Sequence, residues 1–166
     1  MLSIYVAYLF VFLLAAIPFF EVVGVIPLGV VAGLHALPVT LLAFLGNILT
    51  IWLLILLMDQ VKRWLQHRKE KKGKEPSKKR QARAERVWKK YGLPGLALLS
   101  PILIGSHLGA VLAMGFGGKK KQITFWMTVS VTIWSVVMGF TSYYGIDFLH
   151  NQTGREGFLT NILDNE

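Results

Sequence analysis

Apolar residues run along this chain in long blocks, and the breaks between the blocks carry the information. The first, MLSIYVAYLFVFLLAAIPFF, holds no charge and predicts a membrane helix from about Leu2 to Phe20. Glu21 follows. A second block, Val22 to Leu37, is apolar but broken by Gly24, Pro27, Gly29 and Gly33, with Pro38 just beyond. Its sixteen residues reach about 24 Å at a rise of about 1.5 Å each, short of a hydrocarbon core of ~30 Å. Backbone breaks at that depth only where protein or a wet cavity satisfies its polar groups. The block is therefore predicted to dip into the membrane and return on the same side. Val39 to Met58 then gives twenty uncharged residues, long enough to span.

From Asp59 the pattern turns polar and basic. Residues 59–92 carry fourteen Lys/Arg against four Asp/Glu. Val61, Trp64 and Leu65 predict that the helix continues past the surface, with Trp64 at headgroup depth. Gly73 and Pro76 break it, and Ser77 to Lys90 reads as a second helix. Its apolar stripe of Ala84, Val87, Trp88 and Tyr91 fits a basic helix lying on an anionic leaflet. The plainer alternative is a solvated loop that obeys the positive-inside rule.

Leu93 to Gly118 is long enough to span, yet it contains Pro94, Gly95, Pro101, Gly105, Gly109, Gly115 and Gly117, and Lys119, Lys120 and Lys121 follow at once. If the segment dips and returns, both basic blocks share the cytoplasmic side. A second re-entrant segment is the expectation. Thr124 to Gly145 is the last span, with a stripe of Thr124, Thr128, Thr132, Ser135, Gly139 and Ser142 down one face. Such hydroxyls either bond their own i−4 carbonyls and pack tightly, or line a cavity.

Composition narrows the class. A positive mean hydropathy with 54% hydrophobic residues marks an integral membrane protein. The net charge of +9 lies in the basic segment between apolar blocks, so it reads as topology and anionic-lipid contact rather than nucleic-acid binding. There is no cysteine, which excludes disulfides and thiol chemistry. The first block lacks a basic n-region and meets Pro18 where small residues should precede cleavage, so it is read as an uncleaved helix.

The candidate chemistry is sparse. Glu21 is the only acid before Asp59. It reads either as a protonatable group, since burial of a carboxylate favours its neutral form, or as an interfacial residue capping the following helix. Asn47, with Ala43, Gly46 and Thr50, makes a polar face on the second span, and an amide at mid-membrane needs a partner. His107 and His35 can titrate near neutrality, although a lone His among apolar residues is commonly structural. His107 ranks above His35 because Ser100 and Ser106 lie near it. No ligand spacing points to a metal or cofactor, and no nucleophile–base pair or phosphate loop points to an enzyme.

The two broken segments echo one another. Each is rich in Gly and Pro, each carries a Gly-x-His (Gly33–His35 and Gly105–His107), and each precedes a span with a polar face. Broken helices at corresponding places in oppositely oriented halves point to a transporter site.

With Glu21-x-x-Gly24-x-x-Pro27, Gly46–Asn47, Tyr91-Gly92-x-x-Gly95 and the loop centred on Pro101, the chain resembles the small multidrug export proteins, a branch of the broader DedA-like superfamily. The resemblance covers about residues 18–146. It implies two facing re-entrant hairpins and membership in a group regarded as transporters, with relatives tied to lipid-carrier translocation and proton-coupled resistance. Those relatives carry Arg beside the second-loop Pro; here SPILIGSHLG has only His107, which departs from a phosphate-binding pattern.

The expected fold is thus an all-α membrane protein. It has about three full crossings and two re-entrant hairpins in an inverted repeat, divided as 1–58, a basic cytoplasmic segment 59–92, 93–146, and a polar tail 147–166. Three crossings put the N-terminus in the cytoplasm and the tail outside the plasma membrane. The expected function is transport of an amphipathic or lipid-like substrate, coupled to protons. The pathway residues are Glu21, His107, Asn47, Pro27, Pro101, Gly105, Thr128, Thr132 and Ser135. Trp64, Trp88, Lys119, Lys120 and Lys121 would meet anionic headgroups, and a homodimer would complete the wall. The alternative is a non-transporting organiser whose basic segment recruits anionic lipid or a protein partner.

Overall fold

The structure, a computed structural model, describes residues 2–18, 20–58, 60 and 78–153. Among these residues there are six helices and no strand: α1 (Leu2–Ala16), α2 (Val22–Val31), α3 (Ala36–Leu56), α4 (Lys78–Leu103), α5 (Ser106–Gly115) and α6 (Lys120–Thr153). Trp64, with the rest of 61–77, and residues 154–166 lie outside the described part.

Among the described residues two helices, not three, are long and apolar enough to cross a membrane: Ala36–Leu56 and Lys120–Gly145. The first block falls short. Its helix stops at Ala16 after 15 residues, about 22 Å at a rise of about 1.5 Å per residue. The cause is local, because Pro18 disfavours helical backbone at Ile17. The broken second block is also shorter than expected. It is a helix of 10 residues that runs through Pro27 and ends before Leu34. α4 bends at Gly92 (φ 64, ψ −158), so it is two helices, 78–91 and 93–103.

The chain forms two compact units, residues 1–48 with 131–166, and residues 49–130. α3 and α6 each run from one unit into the other.

Within the first unit, α1 packs on α2. The backbone N–H of His35 donates to the Tyr8 hydroxyl at 3.2 Å, which ties the turn after α2 to the early part of α1. The α1–α2 pair is therefore a helical hairpin. Gly46 of α3 sits so close to α1 that a Cβ there would collide with the Phe12 carbonyl oxygen.

Within the second unit, helix 93–103 is followed after two residues by α5, and α4 packs on α5. The Trp88 ring meets the Phe116 ring at 5.4 Å between centroids, which joins the approach to this hairpin to its far end. A Cβ at Gly109 would lie 2.7 Å from Ser100 Oγ, so the two short helices touch almost backbone to backbone.

The two short helices end alike. After α2, Gly33 N–H donates to the Val30 carbonyl and Leu34 N–H to the Gly29 carbonyl. After α5, Gly117 donates to Met114 and Gly118 to Ala113. Both are Schellman caps, and both need the positive φ that glycine supplies, 103° at Gly33 and 91° at Gly117. Gly117 follows Gly33 by 84 residues. At that same offset all five buried residues of α2 fall on buried residues of α5: Val22 on Ser106, Val25 on Gly109, Ile26 on Ala110, Gly29 on Ala113, and Val30 on Met114. The sixth buried residue of α5, His107, falls on half-buried Val23. On the long helices Val39, Ala43 and Asn47 match Ile123, Met127 and Val131, all buried. Even the back-bond of Thr40 to the Ala36 carbonyl recurs, as Thr124 to Lys120.

This register corrects the Gly-x-His echo. Gly33–His35 closes α2, whereas Gly105–His107 opens α5. Glycine suits both ends of a helix, so the tripeptide match joined unlike positions.

Candidate functional site

Glu21 and His107 are the only buried ionisable residues among those described, 7% and 5% exposed. Each stands at the opening of a ten-residue helix. They belong to different compact units, and each has its own polar surroundings.

Glu21 is the N-cap of α2 in extended backbone (φ −91, ψ 167). Its carbonyl accepts from the N–H groups of Gly24 and Val25, but its carboxylate makes no capping hydrogen bond. The capping reading of this side chain therefore loses its hydrogen bond, although the carboxylate remains at the positive end of the helix dipole. In the same unit Asn47 is fully buried on α3, and Ser135 and Ser142 are buried on α6. The Ser135 and Ser142 hydroxyls make no hydrogen bond among the described residues. Between them, Gly139 lets α6 approach α3: a Cβ there would lie 2.7 Å from Thr40 Oγ1.

His107 is the second residue of α5, just after the Gly105 N-cap (φ 98). Its Nε2 lies 2.9 Å from Thr50 Oγ1, and the tautomer decides which of the two donates. Ser100, Ser106 and Ser130 are buried in the same unit. The proline explains part of this polarity. Pro101 has no N–H to offer the Ala97 carbonyl four residues earlier. Ser130 Oγ donates to that carbonyl at 2.7 Å and Ser100 Oγ at 3.0 Å. Ser100's own carbonyl accepts from Ile104 and Gly105 where helix 93–103 ends. A hydroxyl from α6 thus replaces the bond that the proline removed.

The remaining predicted residues are placed as follows. Thr128 is half-buried; its hydroxyl donates to the Thr124 carbonyl at 2.7 Å and accepts from Trp52 Nε1 at 3.0 Å, tying α3 to α6 inside the second unit. Thr132 is exposed, because the buried face of α6 runs through Ile123, Met127, Ser130, Val131 and Ser135. Pro27 is half-buried within α2, and Pro101 is buried. His35 is exposed; its backbone N–H donates to Tyr8 and its carbonyl accepts from the Val39 N–H. Lys119, Lys120 and Lys121 are exposed at the start of α6. Trp88 is half-buried against Phe116, so the stripe on 78–91 meets protein at Ala84, which is 1% exposed, and at Trp88, while Tyr91 stays exposed. On that helix Lys89 donates to Glu85 at 2.8 Å, and this hydrogen bond raises the pKa of its ammonium.

Sequence reasoning missed the pairing of Thr50 with His107 and the role of Ser130. The first joins positions 57 apart with no local signature. The second had one signal, the carbonyl that a proline inside a helix must leave open. Among the described residues no cluster of three metal-ligating side chains occurs.

No curated protein and no solved structure matches the chain. Residues 21–137 match the family model described as "Putative small multi-drug export protein". That stretch opens on Glu21, contains both Schellman caps and His107, and runs into α6 beyond Ser135. With most of its length inside the match, the chain belongs to the small multi-drug export family.

Proposed function

We propose that this protein is a small secondary transporter of the plasma membrane that exports amphipathic or lipid-like compounds in exchange for protons. The observation that carries the reading is the pair of buried ionisable residues, Glu21 and His107, each at the mouth of a short helix inside apolar sequence. Ionisable groups at such positions are costly to hold and mark ion or substrate paths. Glu21 and His107 take and release protons. Asn47 and Ser135 are the buried polar residues proposed to serve with Glu21 in its unit, and Thr50 is the proposed partner of His107 in the other. The family description supports export, and a multi-drug description suits an amphipathic substrate.

The architecture proposed with it is an inverted repeat at an offset of 84 residues, supported by the matching caps and buried positions. Its two re-entrant hairpins are α1–α2 and 93–103 with α5; its two crossings are α3 and α6. This plan is the basis for keeping the DedA-like relationship. The basic segment and Lys119, Lys120 and Lys121 lie in the cytoplasm by their charge. Two crossings in place of three then move the start of α1 to the outer side, with the end of α6. A second copy of the chain completes the wall around the path.

The test is flux in proteoliposomes with an imposed pH gradient. Wild type should accumulate a cationic amphiphile only with the gradient in the driving direction, and Glu21→Gln should abolish that dependence. Flux that ignores both the gradient and Glu21→Gln would remove the coupling. The second reading, a non-transporting organiser, draws on the basic helix 78–91. It requires that neutralising lysines in 68–80 abolish function while Glu21→Gln and His107→Ala leave it intact.

A further inference from the structure

Helix 78–91 does not run on into helix 93–103 but turns back onto it, and three residues at the junction fix that path. Gly92 takes φ 64 and ψ −158, a backbone state open to glycine alone. Pro94 belongs to the first turn of helix 93–103, where its missing N–H is harmless. A helix continuous through 92 would set the same ring against the Lys90 carbonyl. Gly95 makes room for Tyr91, whose side chain a Cβ there would strike. Helix 78–91 is thus an arm that can swing about Gly92 but cannot merge with its neighbour. It is held in two places. Ala84, 1% exposed, and Val87 lie beside Leu96 and Leu99 of helix 93–103, with no space the size of a water molecule between them. Trp88 rests on Phe116, the residue that follows α5. The arm therefore touches both limbs of the hairpin that carries His107.

The face that docks the arm is the face a membrane would use. A basic amphipathic helix binds a leaflet with its apolar stripe down and its cations at headgroup level. Ala84, Val87 and Trp88 are that stripe, and they already meet protein. A helix docked by them cannot take the interfacial posture. Leaflet and hairpin therefore compete for the same three side chains, and charge weights the outcome. The arm carries seven Lys/Arg against Glu85 alone, which Lys89 engages at 2.8 Å. Arg83, Arg86 and Lys90 are exposed. An anionic leaflet attracts each of these cations, and a neutral one does not.

We infer that helix 78–91 is a lipid-charge switch: it docks on the hairpin of helix 93–103 and α5 over neutral lipid, and swings about Gly92 onto the leaflet when the lipid is anionic, freeing both limbs of that hairpin. The device rests on packing and charge and would operate in an exporter and an organiser alike.

Distances between spin labels test it in the full chain, which has no native cysteine. Ala82→Cys and Gln122→Cys carry the labels; both positions are exposed, uncharged and in the second unit. In nanodiscs of phosphatidylcholine one distance should dominate. Adding phosphatidylglycerol should move the main population by roughly one helix diameter, 10 Å, and raised salt should move it back. Arg83→Gln, Arg86→Gln and Lys90→Gln together should keep the docked distance in both lipids. Phe116→Ala, which removes the ring under Trp88, should bring the released distance already in phosphatidylcholine. Gly92→Ala, which forces alanine into a glycine backbone state, should do the same; Phe116→Ala decides alone if Gly92→Ala does not elute as a single species. One distance in both lipids, a shift that survives the triple Gln variant, or a docked distance in Phe116→Ala would each overturn the switch.

Discussion

Residues 21–58 and 105–142 share a backbone plan but not a chemistry, and the contrast separates what builds this protein from what it is built to do. Both open on a ten-residue helix buried along one face, close it with the same glycine cap, and pass into a long helix buried at matching positions. Polar residues fall elsewhere in each. Glu21 occupies the N-cap position that Gly105 holds in the later segment. His107 has Val23 as its counterpart, and Asn47 has Val131. On the long helices the later segment has Ser135 and Ser142 where the earlier has Ile51 and Met58, all four buried. Caps and small residues therefore set the scaffold twice over. The buried ionisable residues, the buried amide and the buried serines of the long helix have no polar counterpart at the matching position, so the chemistry is not repeated with the backbone.

The sharpest way to break the comparison is to copy one segment into the other. Gly46 and Ser130 are equivalent positions, and each meets the backbone of its hairpin, Gly46 by close approach and Ser130 by a hydrogen bond. Gly46→Ser should therefore do more damage than any cap or hydroxyl substitution. The obstacle is the Phe12 carbonyl, which cannot swing aside as a side chain can, so overpacking costs about 3 kcal/mol or more. Size-exclusion profiles from detergent extracts should show loss of the monodisperse peak. A Gly46→Ser protein as stable as wild type would mean that the α1–α3 approach differs from the one described.

Next in size are the caps. Gly33→Ala and Gly117→Ala each force an alanine to positive φ, at about 1–2 kcal/mol. Because the caps are alike, the two thermal midpoints should fall by similar amounts. A large difference would break the equivalence at the point where it is most complete. The smallest effect is expected at Ser135, whose hydroxyl has no partner among the described residues. Removing a buried, unmatched polar atom relieves a desolvation penalty, so Ser135→Ala should leave the midpoint unchanged or slightly raised. Export should nonetheless fall if this hydroxyl faces the path, and unaltered export would take Ser135 off it.

Much of the frame was legible in the sequence because lipid leaves backbone few options. Uncharged stretches of twenty residues must be helices, and both long helices were found from that rule. The first block misled for the same reason: its apolar run has the length of a crossing, and only Pro18 records that the helix stops early. The α6 stripe was drawn through its threonines, yet Thr124 and Thr128 satisfy themselves on carbonyls four residues back. Such a hydroxyl has no need of burial, and the packed face at that end passes through Ile123, Met127 and Val131, reaching the stripe only at Ser135 and Ser142. Glu21, Asn47 and His107 stood out as polar residues in apolar surroundings. What no local pattern contained was partnership: Thr50 meets His107, and Ser130 meets Ala97, only after folding brings distant turns together.

The proline at 101 and the serine at 130 also constrain the order in which this protein can change. With Pro101 in place, losing Ser130 strips the Ala97 oxygen of its inter-helix donor and leaves only the local bond from Ser100. Exchange of Pro101 for an ordinary residue first would return an amide hydrogen to that oxygen and free position 130 to drift. The two-step route that begins at 101 is open while the one that begins at 130 passes through a weakened intermediate, so descendants lacking the serine should already have lost the proline.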